Sequence, residues 1–108
     1  MIVVTSDTVP GREIEESLGL VQANTVRARH IGRDILATLK NIVGGEIGAY
    51  RQLLVESRQQ ALAEIEDEAS GRGADAIVAL RMATSSVSQG AAEILVYGTA
   101  VRLTPPSG

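Results

Sequence analysis

The feature that most constrains this chain is a pair of apolar runs in its last third. From Ala76 to Ala83, Ile77, Ala79 and Arg81 alternate with Val78, Leu80 and Met82. From Ala92 to Leu103, Leu95, Tyr97 and Val101 alternate with Ile94, Val96 and Ala100. A period of two over such lengths marks β-strands. The segment between them, Thr84 to Ala91, is rich in Ser, Gln and Gly and predicts a polar tip joining the two into an antiparallel hairpin. Both faces of this hairpin carry apolar side chains, whereas a sheet with one wet face shows polar residues at every second position. Both faces therefore need cover. If helices take one, a second copy of the chain is the simplest cover for part of the other.

Two helical patterns precede the hairpin. His30 to Val43 places Ile31, Ile35, Leu39 and Ile42 at spacings of three and four, with Leu36 and Val43 widening the stripe, and Gly44-Gly45 ends it. A longer helix is predicted from Gly48 or Ala49 to Ser70, ending at Gly71 and Gly73. Tyr50, Leu54, Ala61, Leu62, Ile65 and Ala69 face inward on it, and Arg51, Glu56, Gln59, Glu66 and Asp67 outward. Its alanines permit close approach to whatever packs on that face. Ile2 to Val4 reads as a short edge or lead-in strand closed by Thr5 to Asp7 and the Pro10-Gly11 turn. The stretch from Glu13 through Thr25-Val26 leans toward a further strand. The expected fold is α+β, an antiparallel sheet packed with two α-helices. It forms one domain over 1–103, followed by a frayed tail over 104–108.

Composition excludes several function classes. With 10 basic and 13 acidic residues the net charge is −3, and the cations are scattered singly, which does not make a nucleic-acid footprint. There is no Phe or Trp to stack on bases. The absence of Cys removes disulfides, thiolate ligands and cysteine nucleophiles, and suits a reducing compartment. No segment approaches the length of a signal or membrane-spanning stretch, so a cytoplasmic protein without membrane or nucleic-acid partners is expected.

Arg33-Asp34, Gly44-Gly45-Glu46, Tyr50, Arg58, Ala61, Ala69, Gly73-Ala74-Asp75-Ala76 and Gly98-Thr99-Ala100-Val101 occur in order along the chain. In this combination the sequence resembles the YbjQ-like family of small bacterial proteins, and the likeness runs to both ends. The resemblance implies a dodecin-like subunit, a ring-forming homo-oligomer of five copies, and a heavy-metal-binding label attached to an uncharacterised family.

The ligands for such a metal are few. Soft metals select thiolates or several imidazoles, and the chain holds two Met and the single His30. His30, Asp34 and Glu46 are the candidate ligands for a divalent metal if symmetry brings copies together. Against this, His30 fits a helix entrance and Asp34 complements a helix N-terminus. Gly44-Gly45-Glu46-Ile47-Gly48 lacks the Lys of a phosphate-binding loop and reads as a corner between helices, with Glu46 capping the second helix or lying at a subunit boundary. Arg58 falls beside the apolar stripe and calls for a partner such as Glu46 or Asp75, while Asp75 itself suits an Asx turn. Glu64, Glu66, Asp67 and Glu68 read as a solvated helix face, and Glu13, Glu15 and Glu16 as an exposed strand edge. No nucleophile elbow, triad or asymmetric carboxylate pair is present, so no enzyme activity and no cofactor are expected. Flavin, which dodecins hold between aromatic rings, lacks a stacking pair here, since Tyr50 and Tyr97 are the only aromatics. The reading is a non-enzymatic oligomeric structural or binding protein with an unknown ligand, or alternatively a metal-binding protein with its site at subunit boundaries.

Overall fold

The computed structural model describes residues 1–25, 47–88 and 91–106. The helix expected over His30 to Val43 and the Gly44-Gly45 corner lie outside the described residues. The elements are β1 (Ile2–Val3), β2 (Ile14–Thr25), α1 (Ile47–Gly71), β3 (Ala76–Ser88) and β4 (Ala91–Leu103). They form a four-stranded sheet in the order β1-β3-β4-β2 with α1 across one face.

The sheet is mixed, which corrects the antiparallel expectation. β2 and β3 both pair antiparallel with β4, but β1 runs parallel to β3, with Ile2 opposite Ala76 and Val3 opposite Ile77. The expected polar tip also shrinks. Thr84 to Ser88 continue β3, pairing Ser85 with Glu93 and Ser88 with Ala91. Ser and Thr are tolerated in a strand whose edge meets water, so composition alone misplaced the turn.

A bulge corrects the reading of β3. Val78 lies opposite Thr99 and Arg81 opposite Tyr97, so Ala79 and Leu80 together face Gly98. Ala79 takes a φ of 54° to accommodate the extra residue. Strict alternation puts Leu80 on the face of Val78. The bulge instead turns it to the face of Ile77, where both join Val21, Ala61, Ile65, Ala69, Ile94, Val96 and Ala100 in the main core.

The helix covers that face. Its buried line is Ser57, Ala61, Ile65 and Ala69, at helical spacings of four. Ser57 rather than Arg58 therefore occupies the stripe, and its carbonyl accepts a 3.3 Å hydrogen bond from Thr25 Oγ1. The helix ends where glycine permits. Gly73 has a φ of 79°, Ala74 N donates to Ala69 O at 3.1 Å, and Gly73 N donates to Ser70 O at 3.0 Å. This is the Schellman arrangement, and Ala74 packs on the core beside Ala69 as that motif favours.

Among the described residues, the opposite face of the sheet is covered at one end only. Val9, with Ile2 and Val4, packs on Ala76, Val78, Val101 and Leu103. Part of the cover expected from a second copy is thus supplied by the chain's own N-terminal segment.

Candidate functional site

The described residues present two features with exposed chemistry: the uncovered half of the outer sheet face, and a cleft beside the C-terminal end of β4.

On the outer face, β-sheet periodicity brings Leu20, Gln22 and Asn24 of β2 beside Thr99, Tyr97 and Leu95 of β4, and Arg81, Ala83 and Ser85 of β3 beside Tyr97, Leu95 and Glu93. Leu20 is 58% exposed and Tyr97 37%, although their strand neighbours Val21 and Val96, on the reverse side, are fully buried. Glu93 ties the three strands together across this face. Its carboxylate accepts from Asn24 Nδ2 at 2.8 Å and from Ser85 Oγ at 3.4 Å. The arrangement is an apolar strip bordered by satisfied polar groups, which suits contact with another surface better than chemistry on a small molecule.

The cleft, about 450 Å³ in volume, is lined by Gly11, Arg12, Glu13, Thr104 and Pro105. The two segments are laced together: Thr104 N donates to Glu13 O at 2.9 Å, Glu13 N donates to Thr104 Oγ1 at 2.9 Å, and Arg12 Nε donates to Thr104 O at 2.8 Å. Arg12 is thereby engaged in fastening the end of the sheet.

Of the residues singled out from sequence, Arg58 and Asp75 lie among those whose side chains are described, and they do not come together. Arg58 is exposed, so water solvates its guanidinium and no buried carboxylate partner is required. Asp75 does not pair with it or form a local Asx turn. Its Oδ2 accepts from Leu103 N at 2.8 Å, 28 residues along the chain. The register explains this: Ala76 opposite Val101 is the last pair of the β3–β4 ladder. The Leu103 amide of β4 thus lies beyond the end of β3, and a carboxylate takes the place of the missing backbone acceptor. The backbone of Tyr50 lies in α1, whereas His30, Asp34, Gly44, Gly45 and Glu46 lie outside the described residues. Among the described residues no three His, Cys, Asp or Glu side chains gather as metal ligands, and no helix is long and apolar enough to cross a membrane.

Sequence reasoning missed the roles of Glu68 and Arg72. Arg72 Nη1 donates to Leu18 O at 3.2 Å and Leu20 O at 3.0 Å, and its Nη2 pairs with Glu68 Oε1 at 2.9 Å. Glu68 Oε2 in turn accepts from Gln22 N at 3.3 Å. Two side chains at the end of α1 therefore occupy the outward-facing backbone groups of β2. Their spacing of four residues was the available signal, but it reads as an ordinary helical ion pair.

Comparison with known proteins places the fold. Residues 1–104 match the model of the YbjQ family, described as "Putative heavy-metal-binding". The chain belongs to that family. Similar proteins, each named only "UPF0145 protein", include one from Hahella chejuensis at 54% identity, covering 94% of this chain and 97% of the relative. Another, from Archaeoglobus fulgidus, is 56% identical and covers 95% of both. The family is thus not confined to bacteria, which corrects the expectation attached to the resemblance. A crystal structure of a protein of unknown function from Pediococcus pentosaceus, assigned to the DUF74 family, superimposes with a TM-score of 0.66 at 17% identity. It covers 96% of this chain and 98% of that one. At that identity the likeness speaks for the α+β fold alone.

The family description names a metal, and the donors in hand do not match a soft one. The chain has no Cys and one His, and the described residues hold no ligand cluster.

Proposed function

We propose that this YbjQ-family protein is a non-enzymatic, self-associating binding module whose subunits meet through the uncovered outer face of the sheet. The observation that carries this reading is the exposure of Leu20 and Tyr97 on a strip continuous with Leu95 and Ala83. Leu20 and Tyr97 stand exposed where a solitary subunit would place polar side chains. The ring of five implied by the resemblance is the assembly proposed, in the cytoplasm, with a ligand of unknown class held where subunits meet. Size exclusion with light scattering tests it at micromolar concentration: a multiple of the chain mass is expected, and a stable monomer refutes it. Tyr97→Glu with Leu20→Glu is expected to lower the subunit number while leaving the circular dichroism spectrum intact.

The family description favours a second reading, a metal site at subunit boundaries built from His30, Asp34 and Glu46. Elemental analysis of untagged protein and titration with Cu, Zn and Ni test it. Stoichiometric binding lost in His30→Ala and Glu46→Ala supports the site; absence of binding, or binding unchanged in those variants, refutes it.

A further inference from the structure

The side chains at the start of β3 are compatible with two registers on β4. Ala76, Ile77, Val78 and Ala79 are all apolar. Both faces are covered here, with Ile77 in the core beneath α1 and Val78 in the cluster formed with the N-terminal segment. A pattern that is apolar on both sides does not fix which residue faces which way. The rest of the strand has no such freedom. Leu80 is buried, and Arg81 is exposed opposite Tyr97; sliding this part by one position would carry a guanidinium into the core. Sliding Ala76–Ala79 alone removes the bulge. Ala79 then meets Thr99, Val78 meets Ala100 and Ile77 meets Val101, so Val78 replaces Ile77 under the helix.

The strand adopts the bulged register although this gives Ala79 a φ of 54°, a region that residues other than glycine seldom enter. The N-terminal segment supplies what holds it there. Ala79 N donates to Ser6 O at 2.8 Å and Leu80 N to Val4 O at 3.1 Å. Successive amides of a regular strand point to opposite edges, so only the bulge turns two neighbouring N–H groups toward the same segment. A bulge ordinarily leaves its extra residue unpaired, whereas here both amides find a carbonyl. Further contacts meet at the same place. Val4 N donates to Ile77 O at 2.9 Å, and Arg81 Nη1 donates to Thr5 O at 2.9 Å and to Leu80 O at 2.8 Å. Ile2, Val4 and Val9 pack in the cluster that buries Val78 on the outer face.

We propose that residues 1–9 are a strap that selects the bulged register of β3. Their release lets Ala76–Ala79 slide by one residue, exchanging Ile77 for Val78 in the core and presenting Ile77 on the outer face. The device is a two-state element. Each state buries one β-branched aliphatic side chain under α1 and turns the other outward; the bulged state strains Ala79, and the bonds to the strap decide between them. The state of the N-terminus is thereby displayed on the outer face, where a released Ile77 lies beside Val101. The inference holds for any number of subunits.

Because the chain lacks cysteine, paired thiols report the register. Val78 and Thr99 are opposite partners, at a separation that a disulfide spans. Val78→Cys with Thr99→Cys is therefore expected to close within one chain under mild oxidation, counted as loss of free thiol. Val78→Cys with Ala100→Cys places the thiols on opposite faces of the bulged sheet and is expected to stay open. Val4→Pro removes the amide that binds Ile77 O. In that background the expectation reverses: the first pair stays open and the second closes, with an unchanged circular dichroism spectrum. Ala79→Val leaves the strap intact and opposes the positive φ, which a β-branched residue rarely adopts. It is expected to move both pairs the same way, and its result is decisive if Val4→Pro unfolds the chain. Closure of the first pair in both variants, opening of the first without closure of the second, or closure of the second in the otherwise natural chain overturns the inference.

Discussion

Gly98→Ala probes the bulge on which the core depends. A methyl group built on Gly98 would meet Ile77 Cγ2 at 2.7 Å, Val78 O at 3.1 Å and Leu80 Cα at 3.5 Å. The first separation is shorter than real side-chain contacts allow, and two of the three neighbours are backbone atoms of the bulged strand. Relief thus requires either Ile77, which is fully buried, to leave its rotamer or β3 to move away from β4. Overpacking of this kind costs about 1–3 kcal/mol, and each kcal/mol lowers Tm by roughly 4–8 °C in a domain near this size. A fall of roughly 4–24 °C is expected in thermal melts run at one fixed subunit concentration, since association shifts apparent stability. Ile77→Ala, itself costing about 2–5 kcal/mol, removes the closest atom, so the penalty of Gly98→Ala should shrink in that background. An unchanged Tm, or an equal penalty in both backgrounds, refutes the claim that Gly98 exists to admit Ile77 and the bulge.

Three further outcomes follow from named contacts. Asp75→Ala leaves the Leu103 amide without its acceptor and is expected to cost about 1–2 kcal/mol, with faster hydrogen exchange at Leu103; Asp75→Asn, which keeps an acceptor, should recover most of it. Ile65→Ala opens a cavity beneath α1 and should cost about 2–5 kcal/mol by denaturant melt, whereas Arg58→Ala, on the exposed side, should fall within about 0.5 kcal/mol of the natural protein. Arg72→Ala removes a half-exposed ion pair worth no more than about 1 kcal/mol, yet uncovers Leu18 O and Leu20 O. Little change in Tm but raised light scattering on storage is expected, and unchanged scattering counts against an edge-guarding role.

Much of this fold is legible in the sequence because its periodicities are long. The 25-residue helix and the two C-terminal strands repeat their pattern often enough to outweigh local irregularity. What escaped depends on single residues answering to distant ones. Leu80 changes face because one extra residue at Ala79 is absorbed opposite Gly98, and alternation carries no mark of such an insertion. Asp75 is recruited by an amide 28 positions away, where local sequence favours a turn. Arg58 called for a partner because it falls beside the stripe, one position from Ser57, and a helical wheel does not resolve which of two neighbours meets the sheet. The candidate site was less legible than the fold. Leu20 and Tyr97 become neighbours only through the register of β2 on β4, and a single sequence does not specify which strands pair.

The clasp that Glu68 and Arg72 place on β2 also bears on where such a sheet can grow. In the language of polymerisation, a unit with two reactive ends propagates and a unit with one can only couple. Closing the β2 edge removes one such end, so the same ion pair that contributes little to stability keeps that side of the sheet from propagating.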